Sequence, residues 1–348
     1  MIKVGIIGAS GYTGAELVRL LKQHPEVKIE FLTSENYAGQ NMSELYPSLE
    51  KNQDLILQSR AEIEIYNQKV ALVFLAVPHG EAMKLVPDLI KTGIKIIDLS
   101  GDFRFHDHKI YQQWYKKEHL AKEILAKAVY GMPELFRDNL IDCQLIANPG
   151  CFVTATVLGL YPLLEKLEVE SVVIDAKTGI TGAGRRPTLA TMYNRISENI
   201  IPYKVGGEHQ HIPEIEQTLN LATNKSAKIT FIPHLIPAKR GILATMYIKP
   251  KSEVGLSEII RLYQNKYTHE PFIKLCDQTE AWPELASVVG TNNCSIKITL
   301  DKNSGMLIVV SAIDNLIKGA AGQAVQNFNV LYGLEETLGL SQLGGLVS

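Results

Sequence analysis

Four cysteines in 348 residues, at positions 143, 151, 276 and 294, are too few and too irregularly spaced for a disulfide framework, and no CxxC pair suggests structural zinc. No sign of charge dominates. The 35 Lys plus Arg against 37 Asp plus Glu argue against nucleic acid or an anionic membrane as partner. No apolar run reaches the ~20 residues needed to cross a bilayer. Met1 leads straight into an apolar strand-like run rather than a basic n-region and signal core. The final Gly-Gly-Leu-Val-Ser carries no lipidation signature, and there is neither an internal repeat nor a low-complexity segment. The expectation is a cytoplasmic protein in reducing surroundings, acting on a small molecule.

What is present is apolar material, 46% of the chain, enough for a large core divided over two domains. Apolar strands at 2–7, 27–33, 70–77, 94–99 and 144–147 alternate with helices near 14–23 and 81–91. That alternation predicts an α/β Rossmann domain, a parallel sheet with helices on both faces. After residue 151 the texture changes. A long helix over 153–166 leads to strands at 171–176, 228–232, 242–249, 294–300 and 306–312 with fewer helices between. This predicts an α+β catalytic domain on a largely antiparallel mixed sheet. The last helix, 316–331, has a small-residue face of Ala320, Ala321 and Ala324 and is expected to pack back on the first domain. The boundaries so drawn are 1–148 with 315–348 for the first domain and 149–314 for the second.

Cys151 is the most informative single residue. It sits in Asn148-Pro149-Gly150-Cys151-Phe152, after an apolar run and at a helix start. The unpaired N–H groups of a helix start favour thiolate, the nucleophilic form. The alternative is a small buried core residue, as most free cysteines are.

Gly8-Ala9-Ser10-Gly11-Tyr12-Thr13-Gly14 joins the first strand to the first helix. Glycines there permit a tight turn and close approach of a pyrophosphate, whose charge the helix N-terminus stabilises. The second strand ends in Thr33-Ser34-Glu35. An acid at that point suits ribose hydroxyls, a serine suits a 2′-phosphate, and an exposed loop charge is the plainer account of Glu35. The residues alone leave NAD and NADP both open.

Tyr203-Lys204-Val205-Gly206-Gly207-Glu208-His209-Gln210-His211-Ile212-Pro213-Glu214 holds two of the nine histidines. His-x-His on a strand would share a face, as a metal site needs, but no third ligand accompanies them, so no metal is expected. An imidazole titrating near neutrality suits general acid/base work beside a thiol. His79, at a strand end, is as readily structural as functional. Arg104, after another strand end, and Arg185, in a Gly-rich loop, suit capture of carboxylate or phosphate, or are solvated surface charges. Asn315 either opens a helix or offers its amide to a ligand.

In order over nearly the whole chain, certain segments resemble the N-acetyl-gamma-glutamyl-phosphate reductases of arginine biosynthesis. They are residues 8–14, Val77-Pro78-His79-Gly80, Gly101-Asp102-Phe103-Arg104, Asn148-Pro149-Gly150-Cys151, Gly182-Ala183-Gly184-Arg185, residues 209–214, Ile236-Pro237, Arg240-Gly241-Ile242-Leu243 and residues 312–319. The resemblance implies NADP(H) as cofactor and a homodimer or homotetramer. It implies Cys151 as nucleophile and His209 as acid/base. Tyr203, His211, Arg104 and Arg185 would meet substrate, and Gly8, Ser10, Gly11, Tyr12, Thr13, Gly14, Ser34, Gly182 and Asn315 cofactor. The sequence departs from the family in having Gln210 where Arg is frequent, and Glu208 directly before the first histidine. The loop after Ser34 carries no basic residue for a 2′-phosphate. Alternatives are an aspartate-semialdehyde dehydrogenase, an aminoadipyl-phosphate reductase, or a non-catalytic nucleotide sensor. The last needs neither Cys151 nor the histidine segment.

Overall fold

A run of β-branched and apolar residues, Ile2–Ile7, forms strand β1 and ends at Gly8, whose φ of +88° only glycine adopts easily. From this computed structural model residues 1–49, 55–63 and 69–340 are described. The expected extension of the first domain through 341–348 lies outside the described residues. The chain divides into two units, one of Met1–Pro149 joined by the segment from Ala320 onward, the other of Gly150–Gly319.

In the first unit β1 is followed by α1 (Tyr12–Lys22), β2 (Val27–Thr33), α2 (Met42–Leu45), β3 (Leu57–Gln58), α3 (Arg60–Ile63), β4 (Leu72–Leu75) and α4 (Ala82–Lys91). Then come β5 (Lys95–Asp98), α5 (His108–Tyr115), α6 (Lys122–Leu125), β6 (Val129–Tyr130), α7 (Pro133–Leu140) and β7 (Leu145–Ala147). Every pairing in the sheet β3-β2-β1-β4-β5-β7-β6 is parallel. The order leaves β1 toward β2 and returns at β4, so the sheet reverses direction between β1 and β4, the crevice where α/β folds bind ligands. Buried faces of α1 and α4 cover the sheet, with Leu17, Leu20 and Leu21 on one and Leu85, Val86 and Leu89 on the other.

The second unit opens with α8 (Cys151–Lys166), followed by β8 (Val169–Thr178), α9 (Tyr193–Ile196), β9 (Ile201–Pro202), α10 (His211–Thr223) and β10 (Thr230–Leu235). It continues with β11 (Ile242–Pro250), α11 (Leu256–Tyr267), β12 (Ile273–Leu275), β13 (Cys294–Asp301) and β14 (Met306–Ile313). The sheet β12-β13-β14-β11-β8-β10-β9 is mixed, antiparallel through its centre and parallel at β12/β13 and β8/β10. Strict alternation along β11 turns Ile242, Ala244, Met246 and Ile248 inward, where α8 packs, and leaves Leu243, Thr245 and Tyr247 half-exposed on the outer face. Helix α8 is apolar around most of its circumference, as a helix enclosed on several sides must be.

The chain then returns to the first unit. The long terminal helix expected at 316–331 is instead a five-residue wide turn, Ile317–Ala321, followed by α12 (Gly322–Leu331), which packs on α1 and α7.

Candidate functional site

The helix that carries Cys151 starts two residues earlier than its apolar pattern suggests, so Cys151 is the first helical residue of α8 rather than a residue ahead of it. Gly150 precedes it in extended conformation with no side-chain cap, and no acid occupies the first turn. The thiol is half-buried and free of disulfide. The approach to it is tightly held. In the first unit, Asn148 donates from its main chain to Asp98 O at 2.8 Å, and its side-chain oxygen accepts from Asn327 at 3.0 Å. In the second, the Gly150 amide donates to the fully buried Glu214 carboxylate at 2.9 Å. Gly319 lies against the cysteine so closely that a Cβ there would stand 2.7 Å from Cys151 Cβ.

The two histidines do not alternate on a strand. His209 precedes α10 and His211 is its first residue. A metal reading of the pair therefore loses its geometric basis. Among the described residues no group of three His, Cys, Asp or Glu side chains is placed to hold an ion. His209 is 3% exposed, enclosed by the rings of Phe152, Phe231, Tyr203 and His211 at centroid distances of 4.8–5.7 Å. Its Nδ1 accepts the His211 main-chain N–H at 3.1 Å, which puts the ring proton of the neutral form on Nε2. Burial, then the charges of His211 and Lys204, push its pKa down to about 2, so this imidazole stays neutral. His211 is half-exposed. The Tyr203 hydroxyl is pushed well above its ordinary pKa, first by burial and then by the charge that Cys151 would carry when ionised.

The remaining expected residues fall into place separately. Arg104 is 6% exposed, and its guanidinium donates to the carbonyls of Asn148 at 2.8 Å and Leu99 at 2.9 Å. It braces the strand end before the cysteine, a role its sequence position did not suggest. Arg185 lies half-exposed in the loop of the second unit after β8. Asn315 accepts from the Gly241 amide at 2.7 Å and donates to Thr181 at 3.1 Å, tying two loops together beside Gly182. His79 accepts from the Gly101 amide at 2.8 Å and packs on Tyr115, a structural post.

At the sheet reversal, the glycine turn is built from three different demands. Gly8 and Gly14 are glycines because a Cβ would meet Ala76 O at 2.3 Å and Gly8 O at 2.4 Å respectively. Gly11 has no such neighbour, its Cβ position meeting nothing nearer than Gly8 O at 3.8 Å, and it caps α1 without a side chain. Ser10, Tyr12 and Thr13 flank it half-exposed, and no acid lies in the first turn. An uncapped helix start with open backbone fits a pyrophosphate. Ser34, 5% exposed, shares a 2.7 Å hydrogen bond with Ser10. The basic residue missing from the loop after Ser34 arrives from elsewhere: Arg60, at the start of α3, donates from Nε to Glu35 at 2.8 Å.

Comparison with known proteins agrees with this fold. Residues 3–143 match the semialdehyde dehydrogenase NAD binding domain, and residues 151–315 the semialdehyde dehydrogenase dimerisation domain. Relatives named N-acetyl-gamma-glutamyl-phosphate reductase include those of Geotalea daltonii, 46% identical, and Citrifermentans bemidjiense, 48% identical, each covering 99% of both chains. The fold is shared with aspartate semialdehyde dehydrogenase II of Vibrio cholerae, at TM-score 0.75 and 16% identity over 96% of this chain and 98% of that one. The enzyme of Candida albicans, solved with NADP, matches at TM-score 0.70 and 18% identity over 95% of this chain and 98% of that one. The chain belongs to the semialdehyde dehydrogenase family, and within it to the N-acetyl-gamma-glutamyl-phosphate reductases. A nicotinamide cofactor follows from that membership. No helix among the described residues is long and apolar enough to cross a membrane.

Proposed function

We propose that the chain reduces N-acetyl-L-glutamyl 5-phosphate to N-acetyl-L-glutamate 5-semialdehyde and phosphate, with NADPH, through a thioester on Cys151. The carrying observation is a half-buried thiol, in no disulfide, at the start of α8, where no side chain caps the N–H groups. The Cys151 thiolate attacks the acyl-phosphate carbon, and collapse of the tetrahedral oxyanion expels phosphate. N–H donors at the α8 start are suited to hold that oxyanion. NADPH, when bound, would supply the hydride, and the thioester on Cys151 would thereby become a thiohemiacetal. Its oxygen takes up a proton and gives it back as the Cys151 thiolate leaves, which releases the aldehyde.

The histidines divide this work differently from the sequence reading. His209, buried and neutral with its proton on Nε2, suits a hydrogen-bond donor and is a poor base. His211, half-exposed at the start of α10, is our candidate for the proton exchange. Of the two arginines, Arg185 is our candidate for the substrate's anionic groups, while Arg104 acts by bracing Asn148. Gly182 and Asn315 serve the loops around them. The cytoplasm and arginine biosynthesis are the setting this chemistry implies.

A homodimer or homotetramer is supported by the dimerisation-domain match and by the half-exposed apolar side chains on the outer face of the mixed sheet, among them Leu243, Tyr247, Ile308 and Val310.

The test is a steady-state assay in the oxidative direction with N-acetylglutamate 5-semialdehyde, phosphate and NADP. Phosphate-dependent NADPH formation is expected. Equal turnover of aspartate semialdehyde, lacking the acetyl group and one methylene, would replace this substrate by the related one.

A further inference from the structure

In parallel sheets the register decides which residues stand side by side beyond the strand ends. Strands β2 and β3 pair Leu32 with Leu57 and Thr33 with Gln58, and the Ser34 amide continues the ladder onto Gln58 O at 3.0 Å. One step further, Glu35 meets Arg60. Its Oε1 accepts both Nε, at 2.8 Å, and the Arg60 main-chain N–H, at 3.3 Å. The acid that follows β2 in a dinucleotide fold ordinarily hydrogen-bonds the ribose 2′-hydroxyl and disfavours a 2′-phosphate. Here that acid is already held by a cation. The serine beside it, Ser34, is in turn held to the glycine turn through Ser10.

We propose that Arg60 determines the preference of this site for a 2′-phosphorylated adenosine. This deepens, and rests on, the reading of the cofactor as NADPH. Two effects act together. Pairing with Arg60 neutralises Glu35, removing the repulsion a phosphate would meet. The guanidinium, with five N–H donors of which Nε serves Glu35, offers further donors in the geometry that phosphate oxygens accept. Its charge also reaches Glu81, whose carboxyl is held below its usual range first by Lys84 and in smaller part by Arg60. Both members of the pair are substantially solvent-exposed, 34% for Arg60 and 52% for Glu35, so a ligand can reach them. A lysine would supply charge without the planar fork, and is expected to substitute only in part.

The experiment uses the full chain without substrate and measures binding of adenosine 2′,5′-bisphosphate and of 5′-AMP by calorimetry, for wild type, Arg60→Ala and Arg60→Lys. Wild type should bind the bisphosphate more tightly, by roughly tenfold to a hundredfold, the worth of hydrogen bonds to a charged group. Arg60→Ala frees Glu35 for the ribose hydroxyl, so the ratio should fall to unity or below with the 5′-AMP affinity kept or raised, which also reports an intact fold, and Arg60→Lys should fall between. A full preference surviving in Arg60→Ala overturns the assignment and leaves the NADPH reading standing. Equal binding of the two nucleotides by wild type removes both.

Discussion

The Gly150 amide donates to the Glu214 carboxylate at 2.9 Å, joining two segments 64 residues apart directly before the nucleophile. Removing the acceptor strands a buried donor, at about 1–3 kcal/mol. Glu214→Ala should lower the urea midpoint accordingly and reduce kcat, because the turn before Cys151 loses its tether. Glu214→Gln keeps an acceptor oxygen and should recover most of the midpoint. Equal midpoints for the two variants would separate Glu214 from the seating of this turn.

Reactivity should single out one thiol of four. Burial pushes Cys143 up to about 11 and raises Cys276, and Cys294 is buried. Only Cys151 occupies a helix start. Limiting iodoacetamide at pH 8 should label Cys151 first, with loss of turnover in step, as peptide mapping would show. Cys151→Ser should lose more activity than the 10²–10³-fold typical of one missing oxyanion donor.

The three glycines of the turn should respond differently to a methyl group. Gly14→Ala places a Cβ 2.4 Å from Gly8 O and should destabilise the fold. Gly11→Ala meets only an atom 3.8 Å away and should leave thermal stability within about 0.5 kcal/mol. It should nonetheless weaken NADPH binding by about tenfold or more, since the methyl enters the space a pyrophosphate would take. Fluorescence titration and thermal melts on both variants check the contrast.

Asp98 gives a pH dependence of known sign. Burial, then the charge of Asp102, raise its pKa to about 7, against the hydrogen bonds it accepts from Ser100 and the charge of Arg104. With a folded pKa above the unfolded 3.8, the folded state holds the extra proton between these values. Its contribution to stability is therefore complete below pH 4 and is lost as pH rises toward 7. Compared with Asp98→Asn, wild type should lose stability over that window, by at most about 1.4 kcal/mol per pH unit. Melting curves at pH 4.5 and 7.5 measure it, and a difference independent of pH would show Asp98 ionised throughout.

Much of this was legible in the sequence because its signals are local. Apolar runs gave β1, β2, β4 and β5, and the cysteine and the glycine turn sit at element junctions that any reader of periodicity would mark. The two-residue strands β3, β6 and β9 were not legible, being too short to carry a pattern. Nor was the pairing of Arg60 with Glu35, which exists only through the β2/β3 register, or the enclosure of His209, which needs Phe152 and Phe231 from distant elements. A histidine's chemistry depends on its surroundings, and a motif states only its identity. The motif alone therefore does not divide the acid/base task between His209 and His211.

Asn148, at the threshold of the nucleophile, is held by Asn327, 179 positions later. A ribosome making this protein releases the cysteine segment long before the helix that steadies its approach. The growing polypeptide therefore carries an unsecured Asn148 until α12 has emerged, and chains cut short before that helix should keep the cysteine while the residues leading to it lack this hold.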